Sequence, residues 1–449
     1  ISITSAAQQA ATNYALINYT GTDAQSDTNN ISTYEYSTDN ATWFTMTEKS
    51  GVGSDGISGL IFAAAGSSYV FGWDIAADLS NTGDPTVYVR LQSTDTLASS
   101  NLAASSAFAV DTLGPVMSNI ATSQAPGTST LTINYDLAED SVTGNTVEME
   151  ISSDSGSTWV VPTTTLSGDL GAGVTAGAGK SVTWDMSTDF NDQESSTMKV
   201  RIRGTDTYDN IGSYYESADF SADTKNPVVS NVTAAQVAGT TNVEIAYDLS
   251  DATAAGHLVE VDISEDGGTT WVVTDTSVIG EVGAGQSTGA SQIITWDAGT
   301  DFDSQYQIDM AVRARALDYY GNQCAFDTSV VFTLDTKDPV VSNVVGVQNA
   351  GANTFTFTYD LVDDTVSDLD VNIDISEDGG VSWSVTDASS TGDIGSGQVA
   401  GIGKTIAWDA GVDFASQDVS NMRVRLSADD SFGNASSLFE SADFALDTA

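Results

Sequence analysis

Short runs of alternating apolar and polar residues recur along the chain. Thr130-Leu-Thr-Ile-Asn-Tyr135, Val243-Glu-Ile-Ala-Tyr247 and Phe355-Thr-Phe-Thr-Tyr359 alternate with period two, as do Val147-Glu-Met-Glu-Ile151 and Met198-Lys-Val-Arg-Ile202. That period puts one face of a strand on a core and the other in water. Clusters of Gly, Asn, Asp and Ser separate the runs at the spacing of short antiparallel strands. No stretch reads as a helix, and Gly168 to Gly179 and Gly280 to Gly289 read as Gly/Ala-rich loops. About seven strands fall within ~112 residues, the pattern of a β-sandwich. No apolar run approaches the ~20 residues of a membrane-spanning helix.

The pattern repeats. Pro115-Val-Met-Ser-Asn119, Pro227-Val-Val-Ser-Asn231 and Pro339-Val-Val-Ser-Asn343 are spaced by 112 residues, and so are the Asp-Thr pairs that begin at Asp111, Asp223, Asp335 and Asp447. The eight tryptophans form two phased series: Trp43, Trp159, Trp271, Trp383 and Trp73, Trp184, Trp296, Trp408. A fixed period of this length marks a modular array. The expected fold is all-β: four tandem Ig-like β-sandwich domains in an elongated array. Their expected bounds are 1–113 (a divergent first module), 114–225, 226–337 and 338–449. Ile1 aligns with Val229, and Asp447-Thr-Ala449 stops just before the next expected Pro-Val. The matching phase predicts a segment of a longer array, or a chain whose two ends meet those of a neighbour. Ile1 reads as a mature or excised start.

Charge narrows the partners. Among 449 residues, 62 are acidic and 13 basic, a formal net charge of −49. Nucleic acid and anionic membrane both require a basic footprint, so neither is expected as a partner. Cations are expected to screen or bridge the carboxylates. Apolar residues make up 40%, enough for packed cores. Cys324 is the one cysteine and His257 the one histidine. An internal disulfide, a histidine-based triad and a histidine metal cluster are therefore excluded. Cys324 reads as a buried small apolar residue and His257 as an ordinary residue at a strand edge.

Two periodic features look chemical. Ser152-Ser-Asp-Ser-Gly-Ser-Thr-Trp159, Ser264-Glu-Asp-Gly-Gly-Thr-Thr-Trp271 and Ser376-Glu-Asp-Gly-Gly-Val-Ser-Trp383 resemble the Asp-box hairpin of sialidase propellers and many secreted β-proteins. The resemblance implies an Asp that caps the turn, a Gly at positive φ and a Trp that anchors the hairpin in the core. The first module's Ser37-Thr-Asp-Asn-Ala-Thr-Trp43 is one residue short and lacks the Gly. In that family the motif lies away from the active site, so a structural turn is expected. The second feature is that all seven arginines, Arg90, Arg201, Arg203, Arg313, Arg315, Arg423 and Arg425, sit in one strand of the repeat. An Ig sandwich pairs that strand with its third, which carries Glu35, Glu148, Glu150, Glu260, Asp262 and Asp374. A cross-strand ion ladder on the outer face follows.

Further acids cluster at fixed phase near loops: Asp136, Glu139 and Asp140; Asp248 and Asp251; Asp360, Asp363 and Asp364. A second set is Asp206 and Asp209, Asp318, and Asp430, each set with a nearby Asn210, Asn322 or Asn434. The linkers supply Asp111, Asp223 and Asp335. In an Ig sandwich these loops and the incoming linker meet at one end. Asp111 should therefore lie near Asp140 and Asp206, and Asp223 near Asp251 and Asp318. Several carboxylates with amide and backbone oxygens suit Ca²⁺, a hard cation taking 6–8 oxygens. The competing expectation is that Asp and Asn only make Asx-turns. The geometry is similar to that of cadherin-like arrays, without the cadherin motifs, and no EF-hand pattern is present.

Ser-x-Asp-Gly-Gly-x-x-Trp, the Trp-Asp pair and the Asp-Thr-x-x-Pro-Val linker together resemble tandem Ig-like or fibronectin-type-III-like modules of large bacterial and archaeal surface proteins. The resemblance spans the chain. It implies a non-enzymatic, extracellular, cell-surface structural protein: a surface-layer or filament segment that binds copies of itself. A calcium-rigidified adhesin or phage-fibre stalk, and a carbohydrate-binding array that takes cell-surface glycans, are the alternatives. No catalytic site is expected, since the repeats share their acids equally and an active site usually breaks repeat symmetry.

Overall fold

Strand Thr354–Val362 shows how the alternation is used. Phe355, Phe357, Tyr359 and Leu361 are at most 1% exposed, while the residues between them turn outward. Burying one such side chain contributes roughly 1.5–3 kcal/mol. The computed structural model describes residues 1–83, 86–139, 144–252 and 255–449. It comprises two units, Ile1–Lys225 and Asn226–Ala449, each holding two separate apolar cores. Among the described residues no helix is long and apolar enough to cross a membrane.

The third module defines the topology. One sheet runs, in spatial order, Val228–Gln236, Asn242–Ser250, Gly289–Asp297 and Val278–Gly280. The other runs Gly283–Ser287, Ala255–Ser264, Tyr306–Leu317 and Asp327–Thr328, with Phe332–Asp335 also paired to Tyr306–Leu317. All pairings are antiparallel, and the second and fourth modules repeat them. This strand order is that of tandem Ig-like sandwiches. The first module keeps the plan with a three-stranded first sheet, Ser2–Gln8, Tyr14–Gly21 and Ser67–Asp74.

Two expectations need correction. The Gly-rich segments are not loops. Gly171–Val174 and Gly283–Ser287 are edge strands, hydrogen-bonded to Asn145–Ser152 and Ala255–Ser264. Their backbones pair without a side-chain pattern, and Gly168 (φ 112°) and Gly280 (φ 103°), each the last residue of a short strand, take a φ that L-residues rarely enter. Among the described residues there are also four one-turn helices, Ile75–Asp78, Met186–Asp189, Ala298–Asp301 and Ala410–Asp413, too short to show a period. Each ends in an Asp that accepts the indole N–H of a core tryptophan: Asp78 from Trp73 (2.7 Å), Asp189 from Trp184 (3.0 Å), Asp301 from Trp296 (3.1 Å) and Asp413 from Trp408 (3.1 Å).

The first strand of each later module carries a bulge at the Ser-Asn of the repeat. Its register shifts around Asn119, Asn231 and Asn343, which have φ of 54–56°. Each Asn amide donates at 2.7 Å to Asp136, Asp248 or Asp360. The other oxygen of each Asp accepts the N–H of Gly179, Ser291 or Gly403, also at 2.7 Å. The Asn amide, then the backbone N–H, hold all three carboxyls below their usual range. Asp136, Asp248 and Asp360 therefore clamp a bulge within the first sheet, rather than standing after the second strand as loop ligands.

The Arg ladder is present on the outer face of the second sheet. Glu35 stands opposite Arg90, Glu150 and Glu148 opposite Arg201 and Arg203, Asp262 and Glu260 opposite Arg313 and Arg315, and Asp374 opposite Arg425. Six of these pairs are ion pairs, such as Arg313–Asp262 at 2.7 Å and Arg315–Glu260 at 2.6 Å. Arg423 departs: it faces Ser376 and pairs with Asp443 at 2.5 Å and Glu440 at 3.3 Å.

The hairpin tryptophans are not in the core. Trp43, Trp159, Trp271 and Trp383 are half-buried and lie over Arg90, Arg201, Arg313 and Arg425, with guanidinium-to-ring distances of 4.2–4.4 Å. The indoles roof the charged row instead of filling the sandwich. The turn itself forms as expected. Asp154 accepts from Ser152 Oγ and from the N–H and hydroxyl of Thr158, and Gly156 takes φ 86°. The Thr158 N–H leads the hydrogen bonds that hold the Asp154 carboxyl down at about 2. In the first module Asn40 takes the positive φ (57°) that the missing Gly would supply.

Because Arg313 is both paired and stacked, Arg313→Ala is expected to destabilise more than Asp262→Asn. The first removes the stem and the cation–π contacts to Trp271 and Phe326, about 1–2 kcal/mol. The second removes one half-buried surface ion pair, about 0.2–1 kcal/mol. Urea denaturation at low and high salt checks this. Equal losses, or an Arg313→Ala loss that vanishes in salt, would show that the stack contributes nothing.

Candidate metal centres at the module seams

Each module ends on the same device. A Gln from the end of the first strand clamps the backbone of the linker Asp. Gln236 Nε2 donates to Asp335 O (2.6 Å) and Gln236 Oε1 accepts from Asp335 N (2.8 Å). Gln8 with Asp111, Gln124 with Asp223 and Gln348 with Asp447 do the same. The following Thr hydroxyl donates to the carbonyl just past the one-turn helix, as Thr336 does to Phe302 O (2.6 Å). The Asp Oδ1 accepts the N–H two residues on, from Leu113, Lys225, Lys337 or Ala449. This is the Asx-turn expected of such residues, and it occupies only one carboxylate oxygen.

Within the second unit the next module closes over Asp335. Asn434 Nδ2 donates to Asp335 O (3.2 Å) and to Asp430 Oδ2 (2.6 Å). Asp430 Oδ1 also accepts the N–H groups of Phe432 and Asn434. Gly239 N donates to Ser431 O at 2.8 Å, and a Cβ on Gly433 would sit 2.6 Å from Gly239 O, so the backbones touch there. Asp335 is thereby 0% exposed, and its Oδ2 has no hydrogen-bond partner. Carboxylate oxygens of Asp335, Asp363 and Asp430 lie within 4.8 Å of one another. Burial, then the charges of Asp430, Asp363 and Asp364, push the Asp335 carboxyl up to about 6. Burial also leads the causes that raise Asp363.

The first unit repeats this seam. Asn210 Nδ2 donates to Asp111 O (3.1 Å) and Asp206 Oδ2 (2.7 Å), and Ala11 N donates to Thr207 O (2.9 Å). Asp111, Glu139 and Asp206 bring carboxylate oxygens within 4.8 Å of one another. Asp140, expected beside Asp111, lies outside the described residues.

The other expected ligands are placed as follows. Asp209 is exposed in a turn at φ 66°. Asp364 pairs with Lys337 Nζ at 2.6 Å, which takes that ammonium to the rim. Asp223 belongs to the first unit, 3% exposed and strand-paired to Glu194. Asp251 and Asp318 belong to the second. Asp251 accepts from His257 Nε2 at 2.7 Å, and both side chains are buried. The lone histidine is thus a carboxylate partner inside the module, not an edge residue. Asp318 repeats the Asp430 arrangement with Asn322. Cys324 is only partly buried, and its Sγ accepts from Ala316 N.

One cluster went unread in the sequence. Asp23, Asp27 and Asp95 of the first module also bring carboxylate oxygens within 4.8 Å. Asp27 is in phase with Glu139 and Asp363, and Asp95 falls one residue off the phase of Asp206 and Asp430. Carrying the 112-residue period into the divergent module would have found both. A hydrogen bond shared with Asp23, then burial, raise Asp27.

A cation with oxygen ligands at 2.3–2.6 Å spans up to roughly 5 Å between opposite ligands. Three carboxylates within 4.8 Å therefore fit such an ion.

No protein family matches the chain, and no curated protein does. Among solved structures the chain is similar to the FN1–FN3 domains of chicken CNTN1, at 11% identity and a TM-score of 0.23, covering 74% of this chain and 97% of that one. It is also similar to dimeric latent PorU from Porphyromonas gingivalis (13%, TM-score 0.16, 75% of this chain and 35% of that one). A third is the Salmonella alpha-2-macroglobulin mutant Y1175G (9%, TM-score 0.17, 96% and 29%). Likeness this weak adds nothing to the strand order. That order alone defines the class, a tandem array of Ig-like and fibronectin-type-III-like sandwiches.

Proposed function

We propose that the chain is a segment of a non-catalytic, extracellular structural array of the surface-layer or filament kind, associating with copies of itself. We take its modules as 1–113, 114–225, 226–337 and 338–449. The observation that carries this reading is the seam. Gln236, Asp335 and Asn434 join two sandwiches through one clamped backbone, and Gln8, Asp111 and Asn210 repeat the joint. A repeated joint of fixed hydrogen bonds sets spacing, which is what an array requires. A charge of −49 suits an exposed surface that must stay soluble between contacts.

A stalk that spaces an adhesive domain is the second reading, favoured because these joints close within one chain. Electron microscopy of the concentrated protein in calcium separates the two. Filaments or lattices are expected. Dispersed single particles under every condition would overturn self-association and leave the stalk.

A further inference from the structure

We propose that Asp335, Asp363 and Asp430 form a calcium-type divalent-cation site that fastens the fourth module to the third. The Asp335 side chain is fully buried, with Oδ2 lacking any donor and lying beside two other carboxylates. It has no way out. Its backbone N and O are clamped by Gln236 and Asn434, and its Oδ1 is bound by Lys337 N. The ammonium within reach, Lys337 Nζ, is paired to Asp364 instead.

Asp447 is the internal contrast. It carries the same Gln clamp and the same Asx-turn, yet it is exposed and belongs to no carboxylate group among the described residues. The linker motif by itself therefore does not bury an unpaired oxygen. The neighbouring module does, by bringing Asp363 and Asp430 over it.

The chemistry selects the ion. All three side chains offer hard oxygen and none offers nitrogen or sulfur, which disfavours zinc and copper. The three-carboxylate charge exceeds what one proton neutralises and suits a divalent ion. An oxygen spread of up to 4.8 Å suits Ca–O distances of 2.3–2.6 Å better than the 2.0–2.1 Å octahedron of Mg²⁺. Asp430 and Asp363 already accept hydrogen bonds, from Asn434 and Thr365, but carboxylate oxygens keep further lone pairs for a metal.

The proposal deepens the array reading, and the fastening role rests on it; the binding does not. Calcium stoichiometry of the full chain is measured by isothermal titration calorimetry, for the unsubstituted protein and for Asp335→Asn, Asp363→Asn and Asp447→Asn. Asp335→Asn and Asp363→Asn are each expected to lose one bound ion per chain, and Asp447→Asn none. Magnesium is expected to bind at least tenfold more weakly at that site. Unchanged stoichiometry in both seam variants, or a chain that binds no calcium at millimolar concentration, overturns the site. Should Asp335→Asn fail to fold, Asp363→Asn carries the test. A chain that binds no calcium but still assembles defeats this site and spares the array. A chain that binds as expected but never assembles does the reverse.

Discussion

In EDTA at pH 7.5, Asp335→Asn is expected to be more stable than the unsubstituted protein, and in saturating calcium less stable. Asp335 sits near 6 in the folded state because burial and the Asp430 and Asp363 charges oppose its ionisation. Its unfolded value lies near 3.9. A raised carboxyl means that the folded chain holds a proton which the unfolded chain has released. Folding stability therefore falls as pH rises from about 4 to about 6, and the deficit stays constant above that. A rise of this size corresponds to roughly 3 kcal/mol, an upper figure where neighbouring groups relax. Asn is isosteric, uncharged and able to donate from the position of Oδ2 to Asp363 or Asp430. It should recover much of the deficit at pH 7.5 and almost none at pH 4. Calcium acts on the unsubstituted chain alone at this seam, and one thousand times Kd adds about 4.1 kcal/mol, more than the deficit. Urea titrations at pH 4 and 7.5, with EDTA and with calcium, provide the comparison. A variant less stable than its parent in EDTA at pH 7.5 would mean that an unrecognised donor already holds the carboxylate.

Trp296→Ala is expected to destabilise the third module by about 3–5 kcal/mol, whereas Trp271→Ala should cost about 1 kcal/mol. The first indole is 0% exposed at the centre of its core, and its N–H donates to Asp301. Its removal leaves both a cavity and a carboxylate short of a donor. The second lies half-buried on Arg313, where truncation uncovers a guanidinium that stays paired with Asp262. Scanning calorimetry should show one transition of the Trp296→Ala protein moving well below the rest, while the Ile1–Lys225 unit melts unchanged. Similar losses for the two variants would contradict the assignment of one series to the core and the other to the surface.

The two tryptophan series also show where sequence reading stops. Their phase is plain in the chain, and Trp184, Trp296 and Trp408 alternate with Val182, Ile294 and Ile406 inside strands, which marks them as inward, whereas Trp159, Trp271 and Trp383 follow a turn, where no period says which way the indole points. The ion ladder was legible because period two and the pairing of the third and sixth strands leave Arg313 and Asp262 no other face. Asp136, Asp248 and Asp360 misled because an acid near a loop is ambiguous. A bulge one strand away, at Asn119, Asn231 and Asn343, decided that they would clamp the sheet. The edge strands at Gly171 and Gly283 were missed because backbone pairing leaves no trace in side-chain alternation.

By itself the sequence determined the all-β class, the 112-residue period, the strand faces and the turn chemistry of the Asp-box hairpins. These depend on alternation, spacing and local hydrogen bonding, all of which are written along the chain. The phase of the acids also pointed to each linker Asp meeting loop acids of the next module, but only the tertiary structure decided how deeply each linker carboxylate is buried. Asp335 and Asp447 share the same Asp-Thr pair and the same local bonding, yet only Asp335 is buried against other charges. Burial and charge proximity are set by Asp363 and Asp430 of the neighbouring module, far along the chain from Asp335, a separation across which no local pattern reaches.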